Sequence, residues 1–235
     1  MRRPVFRFNL PAVLVFFWMI VSFAGYPCCL CHAGSDRNNI VLEKLLSRIE
    51  KKYSNRDFSV DFTQISNLKA INVTDKAYGK AFFRYPGRMR WKYQFPEKNE
   101  IITDGDNLWI YRPGENQVVK GKSKNFFVTG SGGAFLSDIS MMRKFYRLSI
   151  EKFDNSFINL LMIPKKKMPD VASIHIRILR GNYEINRIIT SNIYGDTTEL
   201  EFSNIKFKKL DDSLFKFIIP AGTDIILMNK KAYLK

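Results

Sequence analysis

The stretch Arg88–Phe95 (RMRWKYQF) decides the fold, because its side chains alternate strictly between polar and apolar. Met89, Trp91, Tyr93 and Phe95 occupy every second position, and basic or amide side chains stand between them. In a β-strand, successive side chains point to opposite faces of the sheet. The alternation therefore predicts a strand in a sheet with one apolar and one wet face, which is typical of antiparallel sheets.

The same period of two extends along most of the chain. From Asp57 onward, Phe58, Val60 and Phe62 alternate with polar residues. Further strands are predicted at residues 78–85, 100–103, 107–112, 117–121, 146–153, 157–163, 171–179, 183–193, 198–208 and 214–219. Short turns such as Asp104-Gly105-Asp106 separate them, without crossover helices. We therefore predict a mainly β protein built on one antiparallel sheet, curled or closed as a barrel.

Two segments have helical spacing instead. Residues 38–53 predict one amphipathic helix, whose apolar positions are Val41, Leu42, Leu45, Leu46 and Ile49. Residues 134–145 follow a glycine cluster at 130–133 and predict a short helix or two, with Phe135, Leu136, Ile139, Met142 and Phe145 as apolar positions. We interpret the glycine cluster as a hinge, because it lacks the spacing of a phosphate-binding loop.

The first 33 residues are typical of a signal peptide. Three arginines, Arg2, Arg3 and Arg7, precede an uncharged apolar run at residues 10–24. That run is shorter than the roughly 20 residues that a membrane span needs. Cys31-His32-Ala33 before Gly34 supplies a small-x-small cleavage site. We expect export and cleavage after Ala33, which leaves residues 34–235 as a single domain; an uncleaved membrane anchor is the alternative.

Residue types exclude several kinds of catalysis for the exported chain. All three cysteines and one of the two histidines fall in the predicted signal peptide, which leaves His175 alone. Cysteine–histidine and serine–histidine–aspartate catalysis, thiolate metal sites and multi-histidine zinc sites are therefore excluded. The close carboxylates at 104/106, 199/201 and 211/212 are expected to be solvated strand or turn residues. We predict no enzyme, no metal site and no cofactor.

The charge is strongly positive. The 235 residues include 38 lysines and arginines against 22 acidic residues, a formal net charge of +16. Basic faces with interleaved aromatic residues bind single-stranded nucleic acid, but export argues against that partner. In the periplasm, a basic surface attracts anionic membranes or acidic proteins.

Large apolar residues are abundant, with 20 Phe, 10 Tyr, 3 Trp and 8 Met. An ordinary packed core accounts for most of them. A curled sheet lined with such groups and covered by helices can also hold a lipid.

The order of several short motifs resembles one known family. The motifs are Phe62-Thr63-Gln64, Gly79, Pro86 with Trp91 and Tyr93, Pro96, Asp104-Gly105 with Leu108-Trp109, Tyr111, Pro113 and Gln117, and Phe215-Lys216-Phe217 with Pro220 and Gly222. After a signal peptide, this order is similar to that of the periplasmic outer-membrane lipoprotein carrier proteins (LolA-type) of Gram-negative bacteria.

The resemblance implies an incomplete antiparallel β-barrel, closed by the N-terminal helix and a mid-chain helical lid over an apolar cavity. It implies a periplasmic carrier, expected to be a monomer, that takes acylated lipoproteins from an inner-membrane ABC transporter to an outer-membrane lipoprotein receptor. We expect the cavity wall to include Met89, Trp91, Tyr93 and Trp109, and the lid to include Phe135, Leu136, Ile139 and Met142.

The resemblance leaves the gate open to question. The family commonly has an arginine just before the first proline, where it hydrogen-bonds the lid backbone in the closed form. Here Tyr85 holds that position, and Arg84 precedes it and should point to the opposite face. Both residues are gate candidates, because a phenol can also bond a lid carbonyl.

Two other functions stay open at this point. One is a module of the same fold that binds another lipid or glycolipid, or that senses lipoproteins. The other is a basic oligonucleotide-binding barrel, whose binding would fall steeply with salt.

Overall fold

The computed structural model describes residues 33–128, 131–168 and 170–228, so the predicted signal peptide lies outside the described residues except for Ala33. The described residues contain twelve strands in one sheet: β1 Asp57–Leu68, β2 Val73–Arg84, β3 Arg88–Phe95, β4 Glu100–Asp104, β5 Asn107–Arg112, β6 Gln117–Lys122, β7 Tyr146–Phe153, β8 Phe157–Pro164, β9 Ser173–Leu179, β10 Ile185–Ser191, β11 Thr197–Phe207 and β12 Asp224–Leu227.

The sheet is curled and does not close. Its strand order is β12-β6-β5-β4-β3-β2-β1-β11-β10-β9-β8-β7, so β12 and β7 are the two edges. Neighbouring strands run antiparallel, except that β12 pairs in parallel with β6. The predicted incomplete antiparallel barrel is thereby confirmed. Strand β3 begins and ends as its alternation predicts.

The pairing register defines the two faces of β3–β5. Met89 lies opposite Thr103, which lies opposite Leu108. One position along, Arg90 lies opposite Ile102, which lies opposite Trp109. Residues paired across an antiparallel ladder share one face of the sheet. We call the face with Met89, Trp91 and Leu108 the inner face, and the other the outer face.

Helix α1, Ala33–Tyr53, covers part of the inner face and includes the predicted helix. Its apolar stripe is buried at Leu45, Leu46 and Ile49. At its end, the Tyr53 hydroxyl accepts a 2.8 Å hydrogen bond from the Ile185 N–H of β10. No helix among the described residues combines the length and apolar character that a membrane-spanning helix needs.

A helical insertion connects β6 to β7. It consists of α2 (Ser123–Val128), a 3-10 helix (Ser131–Ser137) and α3 (Ser140–Phe145), and we call residues 123–145 the lid segment. Residue 130 of the predicted hinge, together with residue 129 before it, lies outside the described residues. The lid segment packs over the inner face, where its 3-10 helix contacts β2, β3 and β11.

The C-terminal part differs from the prediction. A strand was expected at 214–219, but the chain forms a 3-10 helix at Asp212–Phe215 and then runs without ladder partners over the outer face. Phe215 is buried, and Phe217 packs near Trp109. The apolar alternation that predicted a strand therefore reflects packing on the sheet. We call residues 210–219 the C-terminal strap.

Candidate functional site

The inner face carries a cluster of aromatic rings. The Phe62 ring centre lies 4.9 Å from that of Trp91 and 5.0 Å from that of Tyr93, both edge-on. Phe58 stacks on Phe83 at 4.7 Å, and Phe83 meets the Trp91 ring at 5.5 Å. Such pairs favour offset or edge-to-face geometry. The rings from β1, β2 and β3 thus form one continuous apolar wall.

Isoleucine, leucine and methionine side chains from the other half of the sheet form the facing wall. They come from β8 to β11 and are almost fully buried: Ile158, Leu160, Met162, Ile174, Ile176, Ile178, Ile185, Ile188 and Leu200. They belong to the same core cluster as the aromatic rings. The two halves of the sheet therefore enclose one apolar interior.

The lid segment fills this interior. Phe135, Leu136, Ile139 and Met142, the four residues expected in the lid, are at most 5% exposed and belong to the same core cluster. Gly133, at φ +76°, lies so close to β10 that an added Cβ would stand 3.2 Å from Ile188 Cδ1. In this structure the lid segment therefore occupies the space between the two walls.

One backbone hydrogen bond ties the lid segment to the β2–β3 turn. The Gly87 N–H donates to the Ser137 carbonyl at 2.9 Å. The Gly87 carbonyl accepts a 2.7 Å bond from the buried Thr103 hydroxyl, which in turn accepts from the Met89 N–H at 3.1 Å. The β2–β3 turn is therefore bonded to β4 through Thr103 and to the lid segment through Ser137.

A second attachment joins the lid segment to α1. Arg143 of α3 pairs with Glu43 at 2.7 Å and with Glu50 at 2.5 Å. Burial opposes its charge, but the hydrogen bonds that Arg143 donates to these carboxylates raise the pKa of Arg143 above its ordinary value. Lys165, after β8, donates to the Arg143 carbonyl at 2.7 Å.

Neither gate candidate contacts the lid as expected. Arg84 lies on the outer face, as its parity in the strand requires, and binds Asp57 at 2.7 Å, Asp212 and the Leu210 carbonyl. Arg84 therefore holds the C-terminal strap. Among the described residues, the Tyr85 hydroxyl has no hydrogen-bond partner. The Gly87 backbone, two residues further on, makes the contact that was assigned to a side chain.

The four cavity-wall candidates do not share one face. Met89 and Trp91 are buried on the inner face, and Tyr93 packs beside them. Trp109 lies on the outer face, where it packs with Ile102 and, at 6.1 Å between ring centres, with Phe217 of the strap. The assignment of Trp109 to the wall is therefore wrong. Leu108, Trp109, Ile110 and Tyr111 are consecutive apolar residues, so β5 has no alternation that assigns Trp109 to a face, and its register against β3 was not available from the sequence.

Tyr93 adds a polar group to the apolar wall. Its hydroxyl donates to the Gln64 side-chain oxygen at 3.0 Å. Burial raises the pKa of Tyr93 to about 12. Four residues of this wall were not predicted from the sequence. Gln64 appeared there only as part of a motif, and the aromatic residues appeared only as apolar positions of strands: Phe58, Phe62 and Phe83.

A pocket of about 430 Å³ lies where the lid segment meets the turns of the sheet. Its lining includes Pro86 and Gly87 of the β2–β3 turn, Ser123 at the start of α2, and Met141 and Phe145 of α3. The pocket lies beside the Gly87–Ser137 hydrogen bond.

The close carboxylates have structural partners. Asp104 accepts from the backbone of Asp106 and Asn107, and Asp211 accepts from the Ser213 N–H at the start of a 3-10 helix. Glu199 pairs with Arg187 at 2.6 Å. Within the described part of the chain, no three histidine, cysteine or acidic side chains are grouped to hold a metal.

Comparisons with known proteins agree with this architecture. The chain is 26% identical over 177 residues to an outer-membrane lipoprotein carrier protein of Neisseria meningitidis serogroup C, covering 75% of this chain and 84% of that protein. It is 28% identical over 176 residues to the protein of the same name from Nitrosospira multiformis, covering 73% and 82%.

A solved structure of an uncharacterized conserved protein from Thermus thermophilus matches with a TM-score of 0.55 at 14% identity, covering 80% of this chain and 99% of that one. This match shows a shared fold. Residues 54–218, which include strands β1 to β11, the lid segment and most of the strap, match the family described as outer membrane lipoprotein carrier protein LolA. The chain therefore belongs to the outer membrane lipoprotein carrier protein family.

Proposed function

We propose that this protein is a periplasmic carrier that shields the acyl chains of lipoproteins between the inner face of its sheet and its lid segment. The proposal rests on one observation, which is that the lid segment fills an apolar interior. Its walls are one continuous apolar surface, and a short insertion between β6 and β7 fills the space between them. Membership of the family supports a cargo of lipoproteins.

The energetics explain why a cover is needed. Exposing an acyl chain of about 15 methylenes to water costs on the order of 12 kcal/mol, at about 0.8 kcal/mol per CH₂. A carrier must cover nearly all of that surface and still release it. Because Phe135, Leu136, Ile139 and Met142 fill the same space, an entering chain has to displace them. Their packing subtracts from the affinity for cargo and so permits release.

The attachments of the lid segment define the gate in this proposal. The Gly87–Ser137 hydrogen bond and the Arg143 ion pairs with Glu43 and Glu50 break when the segment moves outward. Arg84 keeps its place on the outer face in both forms. The gate here differs from the arginine that the sequence resemblance suggested, because it uses backbone at the turn and an ion pair between two helices.

The proposed route is the one that the resemblance of the sequence implies. The chain is exported, takes an acylated lipoprotein from an inner-membrane ABC transporter and passes it to an outer-membrane lipoprotein receptor. It acts as a monomer and needs neither catalysis nor a cofactor.

Photo-crosslinking tests the proposal with a control that the fold supplies. A benzophenone amino acid replaces Trp91 on the inner face or Trp109 on the outer face, and each variant is produced in cells with a triacylated lipoprotein. The two positions are similarly buried, at 3% and 9% exposure. We expect a crosslink to the acylated lipoprotein from position 91 and none from position 109. No crosslink from 91, or equal crosslinks from both, would overturn the proposal.

A further inference from the structure

A second concave surface lies at the end of the sheet where α1 finishes and β1 begins. It is a groove of about 620 Å³, open to solvent and separate from the lid segment. The lining residues come from the α1–β1 loop, the ends of β2, β3 and β11, and the strap: Asn55, Arg56, Asp57, Arg84, Arg88, Phe207, Lys208, Lys209 and Asp212. We call it the basic groove.

The charges of the basic groove are unbalanced. It holds five cationic side chains and two carboxylates, a net charge of 5 − 2 = +3. Arg84 binds both Asp57 and Asp212, so the carboxylates are already engaged. Within the described ranges, none of the other four cations, Arg56, Arg88, Lys208 and Lys209, has a carboxylate at ion-pair distance. A concave surface with one sign of charge concentrates ions of the opposite sign.

The floor of the basic groove is part of the aromatic cluster. The Phe207 ring centre lies 5.4 Å from that of Phe58, which stacks on Phe83. Phe83 in turn contacts Trp91 on the inner face. The Arg56 guanidinium stands 4.6 Å above the Phe207 ring. Phe207 therefore connects the free cations of the groove with the aromatic cluster of the inner face.

We propose that the basic groove binds the phosphate of an anionic phospholipid whose acyl chain lies against the aromatic cluster. Arginine and lysine are the side chains that recognise phosphate, and the volume suits a small polar group. The shared wall at Phe207 favours an amphiphile over an acidic peptide, which needs no apolar neighbour. This inference rests on the proposed function, because it requires the interior to accept an acyl chain.

The binding test uses two lysolipids with the same acyl chain and different charge. Titration calorimetry on the purified full chain compares palmitoyl lysophosphatidylglycerol with palmitoyl lysophosphatidylcholine, both below their micelle concentrations. Glycerol phosphate is the third ligand and has no acyl chain. We expect the anionic lysolipid to bind about tenfold more tightly than the zwitterionic one, and glycerol phosphate to bind much more weakly than either.

Variants locate the effect. Lys208→Gln/Lys209→Gln removes two exposed cations of the groove, and Lys166→Gln/Lys167→Gln removes two exposed lysines between β8 and β9 as a matched control. The groove variant should weaken binding of the anionic lysolipid about fivefold without changing binding of the zwitterionic one. The control should change neither.

The outcomes separate this inference from the proposed function. Equal binding of the two lysolipids, or equal effects of the two variants, would overturn the groove as a phosphate site and leave an acyl-chain carrier. Glycerol phosphate binding as tightly as the anionic lysolipid would show a site for free phosphate, and would overturn the lipid assignment. Absence of lysolipid binding altogether would overturn both.

Discussion

Two segments of chain cover the opposite faces of β3–β5, and they are fastened differently. The lid segment covers the inner face through apolar side chains, backbone hydrogen bonds that include the one to Gly87, and the ion pairs of Arg143 with Glu43 and Glu50; the side chains of the Arg143–Glu43 pair are 35% and 60% exposed. The C-terminal strap covers the outer face through Arg84 and Asp57, whose side chains are only 10% and 15% exposed.

This difference in attachment is consistent with a lid segment that moves, as the proposed function requires, and a C-terminal strap that stays in place. Exposed ion pairs contribute about 0 to 1 kcal/mol, whereas removing one partner of a buried pair costs about 3 to 5 kcal/mol. The ion pairs of the lid segment are therefore expected to break at small cost, and under the proposed function an acyl chain replaces its apolar contacts. The strap has no such substitute, and it is a permanent part of the fold.

The largest effect is expected when the strap loses its anchor. Arg84→Met leaves Asp57 without its guanidinium and should lower the free energy of unfolding by about 3 kcal/mol. Urea unfolding monitored by circular dichroism measures it. Arg112→Met is the matched control, because Arg112 pairs with Glu115 in the open; it should cost less than about 1 kcal/mol. Equal losses would contradict the distinction between the two kinds of pair.

A smaller loss is expected at Gly79 of β2, because the backbone of β3 occupies the position of an added Cβ. At Gly79, an added Cβ would stand 2.0 Å from the Lys92 carbonyl oxygen, which is backbone and cannot swing away. Gly79→Ala should therefore cost about 2 kcal/mol in the same urea assay. Gly114→Ala is the control, since nothing lies within 4 Å of its Cβ position. A neutral Gly79→Ala would mean that the strands separate readily.

The strap should also weaken in acid. Burial works against the charge of Asp57, but hydrogen bonds from Arg84 and the Leu210 N–H hold the pKa of Asp57 below its ordinary value. A carboxyl with a lowered folded-state pKa stabilises the fold above its unfolded value, near 4, and this stabilisation is lost as pH falls further.

Urea unfolding between pH 6 and pH 2 measures this contribution, which we expect to be roughly 1 kcal/mol. Asp57→Asn removes the titrating group, so the difference in stability between the wild type and the variant should shrink as pH falls. A difference that stays constant over this range would show that Asp57 does not contribute through its charge.

The smallest change in stability is expected at the lid segment. Arg143→Met removes both ion pairs with α1 and should cost at most about 1 kcal/mol. It should nevertheless expose the interior more often. In a Trp18→Phe/Trp109→Phe background, Trp91 is the remaining tryptophan, and acrylamide quenching of its fluorescence should increase in the Arg143→Met variant. The control Arg147→Met, in β7 directly after α3, should leave the quenching unchanged. A loss of stability as large as that of Arg84→Met would make the lid as permanent as the strap.

The two tryptophans show how far sequence patterns reach. The alternation around Trp91 was long enough to place it on the apolar face of β3, and the structure confirms that face. Trp109 stands instead in a continuous apolar run, because the strap covers the outer face at that point and both faces of β5 are apolar there. Alternation gives the phase of a strand only where one face stays wet.

The gate shows the opposite limit. Tyr85 and Arg84 were predicted as gate residues from the chemistry of their side chains. The turn instead contacts the lid segment through the Gly87 N–H, and a backbone contact cannot be predicted from residue type. The partners of Arg143, Glu43 and Glu50, are about a hundred residues away on another helix. Neither contact leaves a local pattern.

The sequence by itself determined the sheet, the N-terminal helix and the helical insertion, because each depends on the spacing of apolar residues between neighbours along the chain. The resemblance carried by its ordered motifs supplied the family. Only the tertiary structure decided which face each strand presents to the interior, what fastens the lid segment and where the free cations gather. Those features depend on register and on contacts between distant segments, which are settled by the packing of the whole chain.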